Sequence, residues 1–230
     1  MKIISKFHER NVQMINLTIL SIAVSLFLVL SMAYAEQGKI NPEFSDRFEK
    51  ATFAGGCFWC MEPPFDKLDG VISTTSGYTG GNEKMPTYEQ VSSGRTGHFE
   101  AIEIIYDPEK INYDKLLEVF WKNIDPTQAN GQFADIGKQY RTAIFFHDEE
   151  QRKLAVASKE RLDKSGKFGK SVVTEILPAE DFYPAEDYHQ NYYLKNPIRY
   201  KYYRFGSGRD QFLNNGHVLG AQQRMKHLQS

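Results

Sequence analysis

The stretch AGGCFWCME, residues 54–62, contains both cysteines of the 230-residue chain, two residues apart. Residues 50–53 before it have the pattern of a short strand, and the residues after it, through Leu68, carry apolar side chains at helical spacing. The pattern predicts a strand, a glycine turn and a helix that begins at Cys57. Unpaired N–H groups and the positive end of a helix dipole favour thiolate over thiol. We therefore expect Cys57 to be a catalytic nucleophile.

Other interpretations of the same stretch remain open at this point. The two cysteines could form a structural disulfide, although a two-residue spacer closes a small loop and restrains little of the unfolded chain. A zinc site needs four ligands, and the chain has no second cysteine pair. The Phe58-Trp59 pair is ordinary core material as well as a possible substrate wall. A nucleophilic or redox role is the interpretation that the spacing favours.

The first 35 residues have the pattern of a secretion signal. A positively charged start is followed by an apolar run over residues 15–32 and by AYA at 33–35, a small-x-small cleavage site before Glu36. The alternative is an uncleaved membrane anchor, because the apolar run is near the lower limit for a membrane span. We expect a signal peptide at 1–35 and an exported, periplasmic protein.

The remaining chain is long enough for one domain with a sizeable core. Its predicted parts are an N-terminal extension at 36–47, a catalytic domain at 48–205 and a C-terminal tail at 206–230. The formal net charge of −1 argues against nucleic acid or an anionic membrane as the main partner. Nothing in the sequence indicates an obligate oligomer, so we expect a monomer.

Strand and helix patterns alternate along the domain. Because hairpins are also possible between them, they predict an α+β two-layer sandwich with a mixed sheet. A polar loop at 127–140 is too long for a simple connector and is a candidate functional loop. Residues 182–192 form a polar, aromatic segment that we expect to include a helical turn. The predicted strands lie at 50–53, 71–76, 98–106, 142–146 and 172–177, and the later helices at 112–123 and 148–165.

Glu100 is the first candidate for an acid that would serve the Cys57 nucleophile. It lies near a strand start and is followed by apolar residues, so burial there would raise its pKa and keep it a proton donor. The alternative is a solvated strand glutamate. Asp135 and Tyr140 in the long loop, and Tyr88 in an earlier loop, are candidates of the same kind, with ordinary surface polar residues as the alternative.

A set of motifs in fixed order gives the chain a family resemblance. Together they resemble the A-type peptide-methionine (S)-sulfoxide reductase family across roughly residues 48–205. The motifs are GCFW at 56–59, GYTGG at 77–81, PTY at 86–88, SGRTGH at 93–98, YDP at 106–108, DPT at 125–127, QYR at 139–141, AEDYHQ at 185–190 and KNP at 195–197.

The resemblance implies a fold, a reaction and a role for each site residue. The fold would be an α+β sandwich with a ferredoxin-like core. The reaction would be reduction of the S epimer of methionine sulfoxide, with no metal or organic cofactor and with an external thiol as reductant. The implied roles are nucleophile for Cys57, acid for Glu100, oxygen binding for Tyr88 and Tyr140, support for Asp135, a methyl-binding wall for Phe58 and Trp59, and substrate binding for His189.

Two departures from the family pattern concern the regeneration of Cys57. Cys60 stands where many members have glycine, and the tail contains no cysteine where many members have recycling cysteines. We therefore expect Cys60 to resolve the Cys57 sulfenic acid as a disulfide, which a thioredoxin-like donor then reduces. The alternative is direct reduction of the sulfenic acid by an external thiol. The expected substrates are oxidised exported proteins and free methionine sulfoxide.

Two rival functions remain. A thioredoxin-like disulfide oxidoreductase also has Cys-x-x-Cys at a helix start. However, such folds usually have a strand and a helix before the motif, and the role would leave Glu100 and the tyrosines without a function. A secreted binding module held by one disulfide would have no need of a thiolate-favouring site.

Overall fold

A six-stranded sheet lies at the centre of the computed structural model, which describes residues 47–214. A separate hairpin of two short strands lies in the loop after the third helix. The strands are β1 Glu49–Gly55, β2 Val71–Thr79, β3 Phe99–Tyr106, β4 Gly131–Gln132, β5 Asp135–Ile136, β6 Thr142–Phe146, β7 Glu175–Pro178 and β8 Tyr183–Pro184. The helices are α1 Phe58–Asp66, α2 Tyr88–Ser92, α3 Tyr113–Lys122, α4 Glu149–Lys164, α5 Tyr192–Lys195 and α6 Pro197–Gly206.

The sheet order is β7-β6-β1-β3-β2-β8. All neighbouring strands are antiparallel except β6 and β7, which are parallel and joined through α4. The central elements follow the order β1-α1-β2-β3-α3-β6, and their four strands have the arrangement of a split βαβ, ferredoxin-like unit. The predicted α+β sandwich with a ferredoxin-like core and a mixed sheet is confirmed.

Strand β3 has apolar residues on both of its faces. Ile102, Ile104 and Tyr106 point to the helices and belong to the main core. Phe99 and Ala101 point to the other face and pack in a smaller cluster with Phe145. Because side chains alternate along a strand, Glu100 shares the helix-covered face with Ile102. This alternation places a carboxylic acid beneath α1.

Helices α3 and α4 begin at side-chain caps. The Asp148 carboxylate accepts a 2.7 Å hydrogen bond from the Gln151 N–H at the start of α4. Asn112 caps α3 in the same way, with a 2.9 Å bond from the Lys115 N–H. Each cap satisfies an N–H group that has no partner inside the helix. Both helices lie within the ranges predicted from the sequence.

Several predicted boundaries differ from the structure, and three of the differences have a visible cause. Helix α1 ends at Asp66, before Leu68, after two internal prolines. Strand β2 continues through Gly77 to Thr79, because Gly77 pairs with both Ala101 and Pro184. Strand β7 begins at Glu175 and not at residue 172, since the N–H groups of the two preceding valines bond to Asp163 and Pro126.

The predicted loop at 127–140 and the polar, aromatic segment at 182–192 both contain short elements. The 127–140 loop holds the β4–β5 hairpin and a 3-10 turn, Lys138–Tyr140. In the 182–192 segment, β8 is followed by a turn in which the His189 N–H donates to the Glu186 carbonyl at 2.8 Å, and α5 starts at Tyr192.

The ends of the chain are described only in part. The predicted signal at 1–35, nearly all of the predicted extension at 36–47, and residues 215–230 of the predicted tail lie outside the described residues. Residues 209–214 are helical. Between residues 47 and 214, no helix is long and apolar enough to cross a bilayer.

Candidate active site

Cys57 lies in the turn between β1 and α1 and is the N-cap residue of that helix. Gly56, before it, has φ +80, and a Cβ there would lie 2.6 Å from Cβ of Gln132. The turn therefore requires glycine for both its conformation and its space. The Cys57 side chain is buried, with 6% of its surface exposed.

Cys60 lies one helical turn after Cys57, and both thiols are free. The Cys60 N–H donates a 3.0 Å bond to the Cys57 carbonyl, and the two side chains are in hydrogen-bond contact. Burial is the main reason why the pKa of the Cys57 thiol is raised well above its ordinary value. In the resting site, burial therefore opposes the thiolate that the helix start favours at Cys57.

The second cysteine is the more acidic of the two. The hydrogen bond from Cys57 lowers the pKa of the Cys60 thiol to about 7, against the effect of burial. The positive charges of Arg209 and Arg204 act in the same direction. A proton shared between the two sulfurs is therefore held mainly by Cys57 in the resting site.

Glu100 lies against the start of α1. Its Oε2 accepts a 3.1 Å hydrogen bond from the N–H of Phe58, and its side chain is 1% exposed. Burial raises its pKa to about 8, and the charges of Asp135 and Cys60 add to this. At neutral pH the carboxyl group is therefore mainly protonated and can donate its proton beside Cys57.

Tyr88, Tyr140 and Asp135 come from three further elements: the start of α2, the 3-10 turn and β5. Burial raises the pKa of Tyr88 to about 12, and the charges of Glu100 and Cys57 contribute. The pKa of Tyr140 is also raised by burial, again with contributions from Glu100 and Cys57. Neither phenol hydroxyl bonds to another residue of the described chain. Both are therefore available to a ligand.

The Phe58-Trp59 pair forms an aromatic wall at the start of α1. The indole Nε1 of Trp59 donates a 3.0 Å bond to Nδ1 of His189, and the indole stacks on Tyr192 with centroids 3.7 Å apart. The Phe58 ring lies 5.0 Å from the His189 ring. The segment after β8 thus fixes the position of both rings.

His189, predicted to bind substrate, is 1% exposed. Burial lowers its pKa to about 4, so the imidazole is neutral at physiological pH. Because its Nδ1 accepts the Trp59 bond, its proton lies on Nε2. The structure therefore places this side chain as a support for the Trp59 indole.

Tyr203 on α6 is a site residue that the sequence did not indicate. Its hydroxyl donates a 2.6 Å bond to Asp135 Oδ2 and is also in hydrogen-bond contact with Cys57. Its ring stands edge-on to Trp59, with centroids 5.7 Å apart. Only the aromatic, basic character of the segment after residue 197 could have drawn attention to it.

Arg209 is a second residue of the C-terminal segment at the site. Its guanidinium donates to the carbonyls of Gly55 (2.8 Å) and Asn123 (2.6 Å) and lies over the ring of Phe133. The side chain is 1% exposed. The segment predicted as a tail from residue 206 thus contributes a buried cation next to the cysteine turn.

Glu186 was also missed as a residue that organises the site. Its two carboxylate oxygens accept 2.9 Å bonds from the Tyr88 N–H and the Tyr78 hydroxyl. It thereby joins the start of α2 to β2. Its position in the AEDYHQ motif at 185–190 was the available signal.

The predicted site residues therefore meet around the Cys57 turn. A surface cavity of about 600 Å³ lies elsewhere, beside Lys50, Glu103 and Phe182, and contains none of them. Within residues 47–214, no three His, Cys, Asp or Glu side chains are grouped so that they could hold a metal ion.

A buried thiol facing a protonated acid, with a second thiol in contact, defines a thiol-dependent oxidoreductase. Comparison with known proteins identifies the family. Residues 49–218 match the family model described as "Peptide methionine sulfoxide reductase". The chain belongs to the peptide methionine sulfoxide reductase family, and its reaction is the reduction of methionine sulfoxide.

Relatives agree in sequence and in structure. Peptide methionine sulfoxide reductase MsrA of Bacillus pumilus is 57% identical over 171 residues, which cover 74% of this chain and 96% of that protein. The MsrA of Halalkalibacterium halodurans is 58% identical over 167 residues, covering 73% and 95%. The solved methionine sulfoxide reductase A of Corynebacterium diphtheriae is 35% identical, with a TM-score of 0.63 over 66% of this chain and 76% of that chain.

A yeast structure gives the same result. Mxr1 from Saccharomyces cerevisiae in reduced form is 34% identical, with a TM-score of 0.63 over 66% of this chain and 88% of that chain. These similarities favour the methionine sulfoxide reductase over the thioredoxin-like alternative and over the binding module.

Proposed function

We propose that this chain reduces the S epimer of methionine sulfoxide, both in proteins and as the free amino acid, through a sulfenic acid on Cys57. One observation carries the proposal: Glu100, buried and mainly protonated at neutral pH, bonds to the N–H that follows Cys57 at 3.1 Å. A nucleophilic sulfur and a proton donor thus converge on one point, as attack on a sulfoxide requires.

The first step transfers oxygen from the substrate to the enzyme. Cys57 gives its proton to Cys60, with which it shares a hydrogen bond, and the resulting thiolate attacks the sulfoxide sulfur. Glu100 protonates the sulfoxide oxygen as that oxygen gains negative charge. The protonated oxygen then moves to the Cys57 sulfur. Its bond to the methionine sulfur breaks, as does the S–S bond that the attack formed, so that methionine departs and Cys57 is left as a sulfenic acid. The substrate sulfur is reduced by two electrons and Cys57 is oxidised by two.

Two sets of side chains orient the sulfoxide in this proposal. The hydroxyls of Tyr88 and Tyr140, which have no partner in the described chain, donate to the sulfoxide oxygen. The Phe58-Trp59 wall accepts the S-methyl group, because apolar aromatic surface suits a methyl group better than water does. Asp135 supports the site through Tyr203.

The second step regenerates the thiol. Cys60 first releases to solvent the proton that it took from Cys57. Its thiolate then attacks the Cys57 sulfur, the S–S bond forms, and the S–O bond breaks to release water after protonation. The N-cap and third positions of α1 place the two sulfurs on one turn, so the helix need not unwind. A thioredoxin-like dithiol then reduces the disulfide by exchange. No prosthetic group takes part in this scheme.

We further propose that the protein acts outside the cytoplasm as a monomer that repairs oxidised exported proteins. The support is the signal-like sequence at 1–35, with its AYA site before Glu36. N-terminal sequencing of the protein from the producing cell should give Glu36 as the first residue. A chain that retains Met1 in the membrane fraction would favour the uncleaved anchor.

The activity is tested with each epimer of N-acetylmethionine sulfoxide and dithiothreitol, following methionine formed. We expect consumption of the S epimer only, abolished by Cys57→Ser. No consumption of either epimer would refute the proposal.

The resolving role is tested separately with Cys60→Ser. This variant should keep its first turnover and lose thioredoxin-dependent cycling, while dithiothreitol-dependent turnover is retained in part. Normal cycling with thioredoxin would show that an external thiol reduces the sulfenic acid directly.

A further inference from the structure

Arg209 is a buried cation without a salt bridge in the described part of the chain. Its side chain is 1% exposed, and its donors go to two backbone carbonyls and to Sδ of Met61. Asp135 is within electrostatic range but not in ion-pair contact. Burying an unpaired charge is costly, and a buried guanidinium is normally matched by an anion.

The position of this cation is specific to the cysteine turn. Nη2 lies 2.8 Å from the Gly55 carbonyl and 3.0 Å from the point where a Cβ on Gly56 would lie. Met61 follows Cys60 in the sequence, and its Sδ lies 3.5 Å from Nη1 of Arg209. The guanidinium therefore lies behind the turn that holds both sulfurs.

The other arginine near Cys60 is already paired. Arg204 donates to the Cys60 carbonyl at 3.2 Å, but its Nε also bonds to Asp210 Oδ1 at 2.6 Å. Its charge is therefore largely balanced by a carboxylate. The charged and titratable groups that face Cys60 are Cys57 from its own helix, Glu100 from β3, Asp135 from β5, Tyr200 and Arg204 from α6, and Arg209.

We propose that Arg209 is the countercharge of the Cys60 thiolate and thereby promotes the step in which Cys60 resolves the Cys57 sulfenic acid. The inference rests on the proposed resolving role of Cys60. In that step the Cys60 thiolate forms the S–S bond and hydroxide leaves Cys57. Glu100, reprotonated by solvent after it gave its proton to the sulfoxide oxygen, supplies the proton that makes the hydroxide water. Arg209 touches neither sulfur and acts as a positioning residue through its charge.

A purely structural role would not require a cation here. Two carbonyl oxygens can be satisfied by a neutral amide, and the Phe133 ring can be covered by any flat side chain. The direction of the Cys60 pKa, lowered partly by Arg209, agrees with the charge-based role. Substitutions that remove the charge of Arg209 but keep its hydrogen bonds therefore distinguish the charge-based role from the structural role.

The experiment uses the full chain with Arg209→Gln, which keeps amide donors, and Arg209→Lys, which keeps the charge. Arg199→Gln, an exposed arginine of α6, is the matched control. One measurement is the pH dependence of Cys60 alkylation by iodoacetamide in a Cys57→Ser background. The other is the single-turnover rate of disulfide formation after mixing with N-acetylmethionine sulfoxide, with methionine release followed in the same run.

We expect Arg209→Gln to raise the Cys60 pKa by about one unit and to slow disulfide formation about fivefold at pH 7, in proportion to the lost thiolate. Arg209→Lys and Arg199→Gln should remain within twofold of the parent protein. An unchanged Cys60 pKa in Arg209→Gln would overturn the proposal. The proposal would also be overturned if both Arg209 variants slowed disulfide formation equally without a change in the Cys60 pKa, because that result indicates a structural role.

The two proposals fail in different ways. If Cys60→Ser cycles normally with thioredoxin, then Cys60 is not the resolving thiol, and the countercharge role proposed for Arg209 is refuted as well. If Cys60 is required but Arg209→Gln resolves at the parent rate, only the countercharge is wrong. Circular dichroism of each variant shows whether it remains folded, and Arg209→Met, which also removes the charge, provides the measurement if Arg209→Gln does not fold.

Discussion

The hydroxyl of Tyr203 donates a 2.6 Å hydrogen bond to Asp135 Oδ2 and also contacts the sulfur of Cys57. Asp135 comes from the loop between α3 and β6, whereas Tyr203 comes from α6 near the end of the described chain. The C-terminal helix therefore links the aspartate to the nucleophile. Because the single hydroxyl proton is given to the carboxylate, Tyr203 fixes the position of Asp135 beside the sulfur.

Tyr203→Phe tests this link, because it removes the hydroxyl and keeps the ring that stands against Trp59. A hydrogen bond to a charged or developing charged group contributes roughly 1.5–3 kcal/mol. We therefore expect kcat to fall at least about tenfold with little change in KM, measured by steady-state kinetics with dithiothreitol. Tyr202→Phe is the matched control, because that neighbouring tyrosine is 76% exposed. Equal kcat values for the two variants would contradict the role of Tyr203.

The acid role of Glu100 predicts a pH dependence with a defined direction. The group acts in its protonated form and its pKa is about 8, so kcat/KM of the parent protein should fall as pH rises through 8. Glu100→Gln should lower kcat about 10²–10⁴-fold, as for a lost general acid, and should lack that alkaline decrease. Glu103→Gln is the control, since Glu103 lies on the other face of β3 and pairs with Lys50.

The same carboxyl group makes a prediction for stability. Its pKa rises from 4.5 in the unfolded chain to about 8 in the folded protein. Below pH 4.5 the Glu100 carboxyl is protonated in both the folded and the unfolded chain, so no charge is buried. Above pH 8 it is ionised in both, and the folded protein bears the full free-energy cost of the buried charge. Stability should therefore decrease between these values, by up to about 1.4 kcal/mol for each unit of pKa difference. Thermal unfolding should show Glu100→Gln to be more stable than the parent at pH 9, and the gain should vanish at pH 4. A gain that is the same at both pH values would exclude this cause.

Local patterns in the sequence were sufficient for much of the fold. Strand β6 coincides with its predicted range, and α4 lies between the cap and the glycine that indicated its ends. The turn at Cys57 followed from two glycines between a strand and a helical pattern. These features depend on residues close together in the chain, so periodicity and capping chemistry reveal them.

The contributions of Tyr203 and Arg209 could not be obtained in this way. Each meets the site across more than 60 residues of sequence, and neither belongs to a chemical motif. The pKa of Cys57 could not be obtained either, because the helix start is visible in the sequence and the degree of burial is not. Tertiary packing decides all three.

Gly56 provides a final test, which separates crowding from backbone conformation. A Cβ at this position would lie 2.6 Å from Cβ of Gln132, whose amide is fixed by bonds to the backbone of Asp125 and Gly131. Gly166 has a similar positive φ of +65, but nothing lies within 4 Å of its Cβ position. Gly166→Ala should therefore cost only about 1 kcal/mol, the conformational penalty.

Gly56→Ala should cost this amount and roughly 1–3 kcal/mol more, because a close-packed neighbour must move. It should also slow methionine formation, since the shift displaces the turn that carries Cys57. Urea unfolding of both variants, with activity measured beside it, gives the comparison. If both alanines cost the same and Gly56→Ala keeps full activity, then the contact with Gln132 does not hold the nucleophile in place.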